Sequence, residues 1–207
     1  DYSLYQNGLF RTYAYPPQFN SANLSIRSFV NRGPEKVIGS RDGLFYINEA
    51  TGIVKSFVKP VLTSDLILTI CFYEGEYYIG TYGGGMMVLN PQTLSLKYFT
   101  QGDTELFQKG HIFCVKPDNR GNLWIGTSQG LFCYNGQTKQ IKNFTSTNSQ
   151  LPEGNVYEVS FDSTGKGWIA TETGMCIYDP ASQSLRSNVF PEGFVHKDKV
   201  RTIYEDA

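Results

Sequence analysis

The side chains best suited to chemistry recur at matched places along the chain. Four short turns each begin with a hydroxyl: Ser40-Arg41-Asp42, Thr81-Tyr82-Gly83, Thr127-Ser128-Gln129 and Thr171-Glu172-Thr173. A second column holds Arg27, Leu68, Phe113, Tyr157 and Arg201, each inside an alternating apolar stretch, and His111 stands just before one of these stretches. Guanidinium, phenol, imidazole and carboxylate groups facing one opening suit a hydroxyl-rich sugar through hydrogen bonds and stacking. Arg41, Tyr82, Tyr157, Arg201, His111 and Glu172 are therefore the candidate ligand-binding residues. His196 sits in the polar stretch His196-Lys197-Asp198-Lys199 and reads as surface.

Catalysis on a bound molecule is poorly supplied. A hydroxyl nucleophile needs a base beside it, and no His or acid recurs next to the Ser/Thr column. Glycoside hydrolysis needs two converging carboxyls, whereas Asp42, Glu158 and Glu172 fall at different places in different repeats. No catalytic residue is assigned. The cysteines, Cys71, Cys114, Cys133 and Cys176, form no CxxC pair, and the chain has only two His, so neither a metal nor another cofactor is expected. Each Cys lies among apolar strand residues and reads as a buried small hydrophobe. Cys133 and Cys176 occupy near-equivalent places in adjacent repeats, which leaves a disulfide open.

Charge narrows the partners further. With 18 basic and 19 acidic residues the net charge is −1, a poor match to a polyanion, so nucleic acid is not an expected partner. No apolar run reaches the roughly 18–20 residues of a membrane span.

These groups must be positioned by a repeat. Aligning KVIGSRDGLFYIN, YYIGTYGGGMMVLN, LWIGTSQGLFCYN and GWIATETGMCIYD superimposes Gly39, Gly80, Gly126 and Ala170, at spacings of 41, 46 and 44. Around this anchor each unit shows an opening strand (LSIRSFV, LILTICF, HIFCVKP, NVYEVSF), a tight turn, the anchor strand, a Gly-containing turn and a third strand. A further turn and a closing strand (IVKSF, SLKYF, QIKNF, SLRSN) follow. Aromatic and β-branched residues punctuated by Gly and Asn/Asp mark hairpin-linked strands. No helical periodicity intervenes. Four short strands in about 40–45 residues make the blade of a β-propeller.

Within the blade, Val37, Tyr78, Trp124 and Trp168 form one column expected to fill the space between sheets. The Gly39 column accepts Ala170 and so requires small volume. The second column, Gly43, Gly84 or Gly85, Gly130 and Gly174, is Gly throughout and is expected to need φ > 0. The hydroxyl column is expected to make turn hydrogen bonds.

The segment Asp118 to Tyr134, DNRGNLWIGTSQGLFCY, resembles the repeat of the two-component regulator propeller family: an acid, a Gly-Asn turn, Leu-Trp-Ile-Gly-Thr, then Gly-Leu and an aromatic. The fourth unit departs at Ala170 and Met175. The first two units lack the Trp and the acidic turn but keep Ile-Gly-Ser/Thr and the second Gly. The resemblance runs over most of the chain. It implies an extracytoplasmic, periplasmic sensor segment of a Bacteroides-type hybrid two-component system, a signalling receptor with a histidine kinase. An oligosaccharide ligand and no catalysis in this segment are implied with it. A protein-interaction scaffold is the alternative, and a propeller-type lyase or glycosidase is a less favoured one.

The expected fold class is all-β, a β-propeller fragment of about four four-stranded blades with partial blades at each end. The expected boundaries are 1–20 (end of a preceding blade), 21–60, 61–102, 103–148, 149–196, and 197–207 (first strand of the next blade). The expected partners are the remaining blades of the same propeller and, through two bare blade faces, a second copy of the chain.

Overall fold

Alternation and turn chemistry produce the expected strands in the computed structural model. It describes residues 2–6, 9–13, 25–102, 104–187 and 199–204, with 2–6, 9–13 and 104 described in backbone only. Two strands, β1 (Tyr2–Gln6) and β2 (Leu9–Tyr13), pair as an antiparallel hairpin. Four blades follow. Blade 1 is β3 (Ile26–Arg32), β4 (Glu35–Ser40), β5 (Gly43–Asn48) and β6 (Ile53–Phe57). Blade 2 is β7 (Ile67–Tyr73), β8 (Glu76–Thr81), β9 (Met86–Leu89) and β10 (Leu96–Tyr98). Blade 3 is β11 (Ile112–Pro117), β12 (Asn122–Thr127), β13 (Gly130–Asn135) and β14 (Ile141–Phe144). Blade 4 is β15 (Val156–Phe161), β16 (Gly167–Thr171), β17 (Gly174–Asp179) and β18 (Ser184–Arg186). Strands of each blade pair antiparallel in chain order, and the opening strands β3, β7, β11 and β15 lie side by side.

The core lies between blades rather than within them. Val37, Leu44 and Tyr46 of blade 1 pack on Ile67, Ile70, Ile79 and Met87 of blade 2. Tyr78, Met86 and Val88 of blade 2 meet Ile112, Val115, Ile125 and Phe132 of blade 3. Trp124, Leu131 and Phe144 of blade 3 meet Val156, Val159, Ile169 and Cys176 of blade 4. The anchor column thus faces the following blade, as its size requires. The other face of blade 1 is not bare, as Ile38, Phe45 and Ile47 are all buried there. Trp168 is only half-buried.

The small column is explained by close approach. A Cβ on Gly39 would stand 2.5 Å from Ile67 Cγ2, and one on Gly80 would stand 2.7 Å from Ile112 Cγ2. A Cβ on Gly126 would stand 2.8 Å from the Val156 carbonyl. These obstacles belong to the next blade's opening strand, and at Gly80 and Gly126 the blade's own opening strand crowds in as well, through Thr69 Cγ2 at 2.6 Å and Cys114 Sγ at 2.5 Å. The second Gly column has φ of 129°, 71°, 121° and 139° at Gly43, Gly85, Gly130 and Gly174, which fixes Gly85 as the blade 2 member. The buried hydroxyls of Ser40, Thr81, Thr127 and Thr171 donate to the carbonyls of those same glycines at 3.2, 2.9, 2.8 and 2.8 Å. They are turn locks, with no base beside them.

The acidic turn and the Trp travel together for a reason. Asp118 accepts the amides of Arg120 and Asn122, both at 2.8 Å, and the Trp124 indole N–H at 3.0 Å. Asp162 likewise accepts Thr164 and Lys166 amides and the Trp168 indole at 2.8 Å. Desolvation alone would raise the Asp162 pKa, but the Thr164 hydroxyl, which donates to it at 2.7 Å, together with the Trp168 indole and the two amides, outweighs it and holds the group at about 2. A depressed carboxyl stabilises the fold above its unfolded value, near 4 for Asp, and the benefit is lost as pH falls to about 2. The Asp162→Asn variant should therefore lose stability at neutral pH and show a shallower decline than the wild type between about pH 4 and 2, read by thermal melts across that window. Parallel curves would exclude this role.

Two expectations need correction. A short helix, α1 (Thr104–Lys109), interrupts the all-strand pattern between blades 2 and 3, where the repeat spacing is longest. Its Leu106 and Phe107 are buried in the blade 2–blade 3 core, and two apolar residues in six are too few to show a helical period. Second, residues 199–204, expected as an opening strand, carry no strand assignment. The cysteines are free thiols, with Cys71, Cys114 and Cys176 buried and Cys133 partly so, as their apolar strand context predicts, and burial pushes each up to about 12. His196 and the segments 14–24 and 188–198 lie outside the described residues.

Candidate functional site at the axial opening

The candidate site begins with an irregularity shared by all four opening strands. The register between the first and second strands shifts at Ile26/Ser28, Ile67/Thr69, Ile112/Cys114 and Val156/Glu158. The extra residue in each bulge is Arg27, Leu68, Phe113 or Tyr157. A bulge breaks the alternation of faces and re-aims one side chain. Here it turns an entire column toward one place. Arg27, Leu68, Phe113, Tyr157 and Ile26, joined by Arg201, line a single opening of about 440 Å3.

Arg201 reaches that opening through a bond repeated in every blade. The Ile70 amide donates to Ser28 Oγ at 2.9 Å, and the Val115 amide to Thr69 Oγ1 at 3.3 Å. The Val159 amide donates to the Cys114 thiol. The Ile203 amide donates to Glu158 Oε2 at 3.2 Å. An opening strand has no sheet partner on its inner edge, so its amides need acceptors from elsewhere. The residue after each bulge supplies one. Residues 199–204 are thus held in the register of a fifth opening strand. Sequence reasoning missed this column, although its signal was present: Ser28, Thr69, Cys114 and Glu158 all carry an oxygen or sulfur acceptor.

The turn column shares the same face. The amides of Arg41, Tyr82, Ser128 and Glu172 donate to the carbonyls of Ser25, Leu66, His111 and Asn155 at 2.9–3.2 Å, which ties each turn to the lead-in of its own blade. Tyr82 is 51% exposed and lies over the His111 ring, with centroids 4.0 Å apart and planes 30° apart. His111 is followed by Phe113 at 6.1 Å, and Phe113 meets Tyr157 edge-on at 5.2 Å. Lys199 Nζ and the Arg201 guanidinium stand over Tyr157 at 4.8 and 5.4 Å. An aromatic run therefore crosses blades 2, 3 and 4 and ends under two cations. Among the described residues the buried His111 Nδ1 has no hydrogen-bond partner.

Glu172 closes the far end. It accepts from Lys199 Nζ at 3.2 Å, Asn155 Nδ2 at 3.0 Å and the Tyr157 hydroxyl at 3.2 Å. Lys199 first, then the Asn155 amide and the Tyr157 hydroxyl, hold its carboxyl below the ordinary range. Such a carboxylate stays ionised and serves as an acceptor that fixes Tyr157 and Lys199, the opposite of a general acid. Of the six expected residues, Tyr82, His111, Tyr157, Glu172 and Arg201 thus stand in one connected group. Arg41 stands apart from this group among the described residues; it is exposed at the blade 1 turn, where its amide donates to the Ser25 carbonyl. Arg27, part of the aligned column but outside the six, lines the opening. Among the described residues no cluster of His, Cys, Asp and Glu could hold a metal, and no helix is long and apolar enough to cross a membrane.

Comparison with known proteins agrees with this architecture. Residues 107–129, from α1 through β12 into the turn, match the sequence model of the two component regulator propeller family. No curated protein sequence matches the chain. Among solved structures, the extracellular domain of a B. thetaiotaomicron protein described as a hybrid two component system is similar, with a TM-score of 0.74 and 24% identity. The similarity covers 95% of this chain and 28% of that one. A second such B. thetaiotaomicron domain gives a TM-score of 0.67 at 19% identity, over 85% of this chain and 24% of that one. The computationally designed Ika4 protein gives 0.57 at 13% identity, over 77% and 93% of the two chains. The chain spans about a quarter of the length of the two extracellular domains. The bulged strands and the inter-blade register make this chain a β-propeller arc, and its residues 107–129 are similar to the two component regulator propeller repeat.

Proposed function

We propose that this arc is part of the periplasmic ligand-sensing region of a hybrid two-component receptor, that its ligand is an oligosaccharide, and that it performs no catalysis. The observation that carries the reading is the convergence of five equivalent repeat positions, Arg27, Leu68, Phe113, Tyr157 and Arg201, on one opening beside an aromatic run that begins at the exposed Tyr82. Stacking surface with hydrogen-bonding groups at its edges is what a sugar ring needs. The ionised, fully bonded Glu172 supports binding over acid catalysis. Its immediate partners are the remaining blades of the same propeller, with pairing of two copies as a further assembly step.

Calorimetric titration of the intact protein against a panel of glycans tests this. One oligosaccharide class should bind without turnover, and Tyr157→Ala should weaken it by about tenfold or more, because both a ring face and a hydroxyl are removed. Release of product from the bound sugar would overturn the sensor reading. Capture of a protein partner with no sugar binding would replace it with the scaffold reading.

A further inference from the structure

The charges at the opening are uneven in a way that points to a ligand class. Some exposed cations are held by carboxylates: Arg32 pairs with Glu35, Arg186 with Asp179, Lys139 with Glu74 and Lys199 with Glu172. Arg27 and Arg201 have no such partner among the described residues, and what sets them apart from other surface cations is that both line the same opening. Among the described residues no carboxylate lines it with them. The acids closest in sequence to Tyr157 are already engaged, Glu158 by the Ile203 amide and Glu172 by Lys199, Asn155 and Tyr157. The chain as a whole is nearly neutral, so this local excess of positive charge is not a by-product of composition.

Between the two guanidiniums the lining is apolar or aromatic: Ile26, Leu68, Phe113 and Tyr157. Two forked donors around an apolar floor match a ring that carries an anionic group. A guanidinium binds carboxylate or sulfate oxygens through paired N–H bonds and loses less on desolvation than an ammonium does. A concave site with low-dielectric walls also concentrates the field of the two charges. The opening is large enough for a ligand of a few rings, since pockets for such ligands run to about 300–1,000 Å3.

We propose that the axial opening selects an acidic oligosaccharide, with a carboxylate or sulfate group of one sugar held by Arg27 and Arg201 above the Leu68–Phe113–Tyr157 floor. This rests on the sugar-sensing reading above and narrows it to a charge class. Neutral sugars of the same length would offer both guanidiniums hydroxyl acceptors but no anionic one.

The test is calorimetry on the intact protein with three probes of matched length: a neutral oligosaccharide, a uronate oligosaccharide and a sulfated one. A uronate or sulfated probe should bind at least about tenfold tighter than the neutral one, and the preference between the two acidic probes identifies which anion is taken. Affinity should fall as salt rises from low to physiological ionic strength. Arg27→Gln and Arg201→Gln should each weaken acidic binding by about tenfold or more while leaving the thermal melt unchanged. Arg27→Lys and Arg201→Lys should recover part of the loss. Arg120→Gln, on an exposed turn of the opposite rim, should change nothing. Tight binding of the neutral probe, indifferent to both Gln variants, would overturn the acidic inference and leave the sugar-sensing reading standing. Acidic binding that both Gln variants retain in full would overturn the inference as well. No binding of any probe, with the protein folded, would count against both.

Discussion

Trp124→Ala should cost the protein about 3–5 kcal/mol, enough to unfold much of a chain of ordinary stability. Trp124 is 1% exposed and sits at the centre of the blade 3–blade 4 seam. Its ring stacks on Phe144 at 5.9 Å and meets Tyr178 edge-on at 4.5 Å and Phe161 at 6.0 Å. Truncation removes the largest side chain of that seam and leaves a cavity that two rigid sheets cannot close. It also takes a donor from Asp118, whose carboxylate organises the turn before β12. Trp168→Ala supplies the comparison. It occupies the same column and bonds the equivalent acid, Asp162, but it is only half-buried. Its loss should cost clearly less. Urea unfolding with the slope held in common would measure both differences. Equal costs at the two positions would mean that the hydrogen bond to the acidic turn, and not the inter-blade cavity, carries the stability.

The same comparison shows how far a repeat can be read in one dimension. The columns of the sequence map onto physical demands that every blade shares. Large residues face the next blade, small ones admit its opening strand, and hydroxyls lock the glycine turn. The axial column was also legible, since aligning repeats superimposes Arg27, Leu68, Phe113, Tyr157 and Arg201 without knowledge of the backbone. What was not legible is why that column points inward. Simple alternation gives each strand residue a face, and a bulge inserts one residue that obeys neither face. The bulge leaves no mark in composition. Its one trace is the acceptor that follows it, and Ser28, Thr69, Cys114 and Glu158 share no residue type, only the ability to receive an amide. The helix α1 was hidden because the longest unit was read as the same four strands with a longer lead-in.

That helix makes the second large effect a matter of glycine geometry. Gly83, Gly84 and Gly85 run together in the blade 2 turn, and Gly83 and Gly85 both have positive φ, 79° and 71°. Any side chain at either position carries a backbone cost of about 1–2 kcal/mol. The surroundings then separate them. A Cβ on Gly83 would find nothing nearer than His111 Cε1 at 3.6 Å, an ordinary contact. A Cβ on Gly85 would run into the backbone carbonyl of Phe107 and stand 2.7 Å from the Gln108 amide. Neither obstacle can rotate away, because both belong to α1. The Gly85 amide also donates to the Gly110 carbonyl at 3.0 Å, so the turn and the end of the helix are bonded as well as packed. Gly85→Ala must therefore push the helix off the turn, and Leu106 and Phe107 leave the core with it. The expected loss is about 3 kcal/mol or more, the left-handed cost plus that of an overpacked contact. Gly83→Ala should lose only the first part. Because His111 follows α1 directly, Gly85→Ala should also disturb the Tyr82–His111 stack and weaken ligand binding, whereas Gly83→Ala should leave binding near wild type. Equal melting shifts for the two variants would show that backbone strain alone sets the cost, and that α1 is free to move without consequence for the blades on either side.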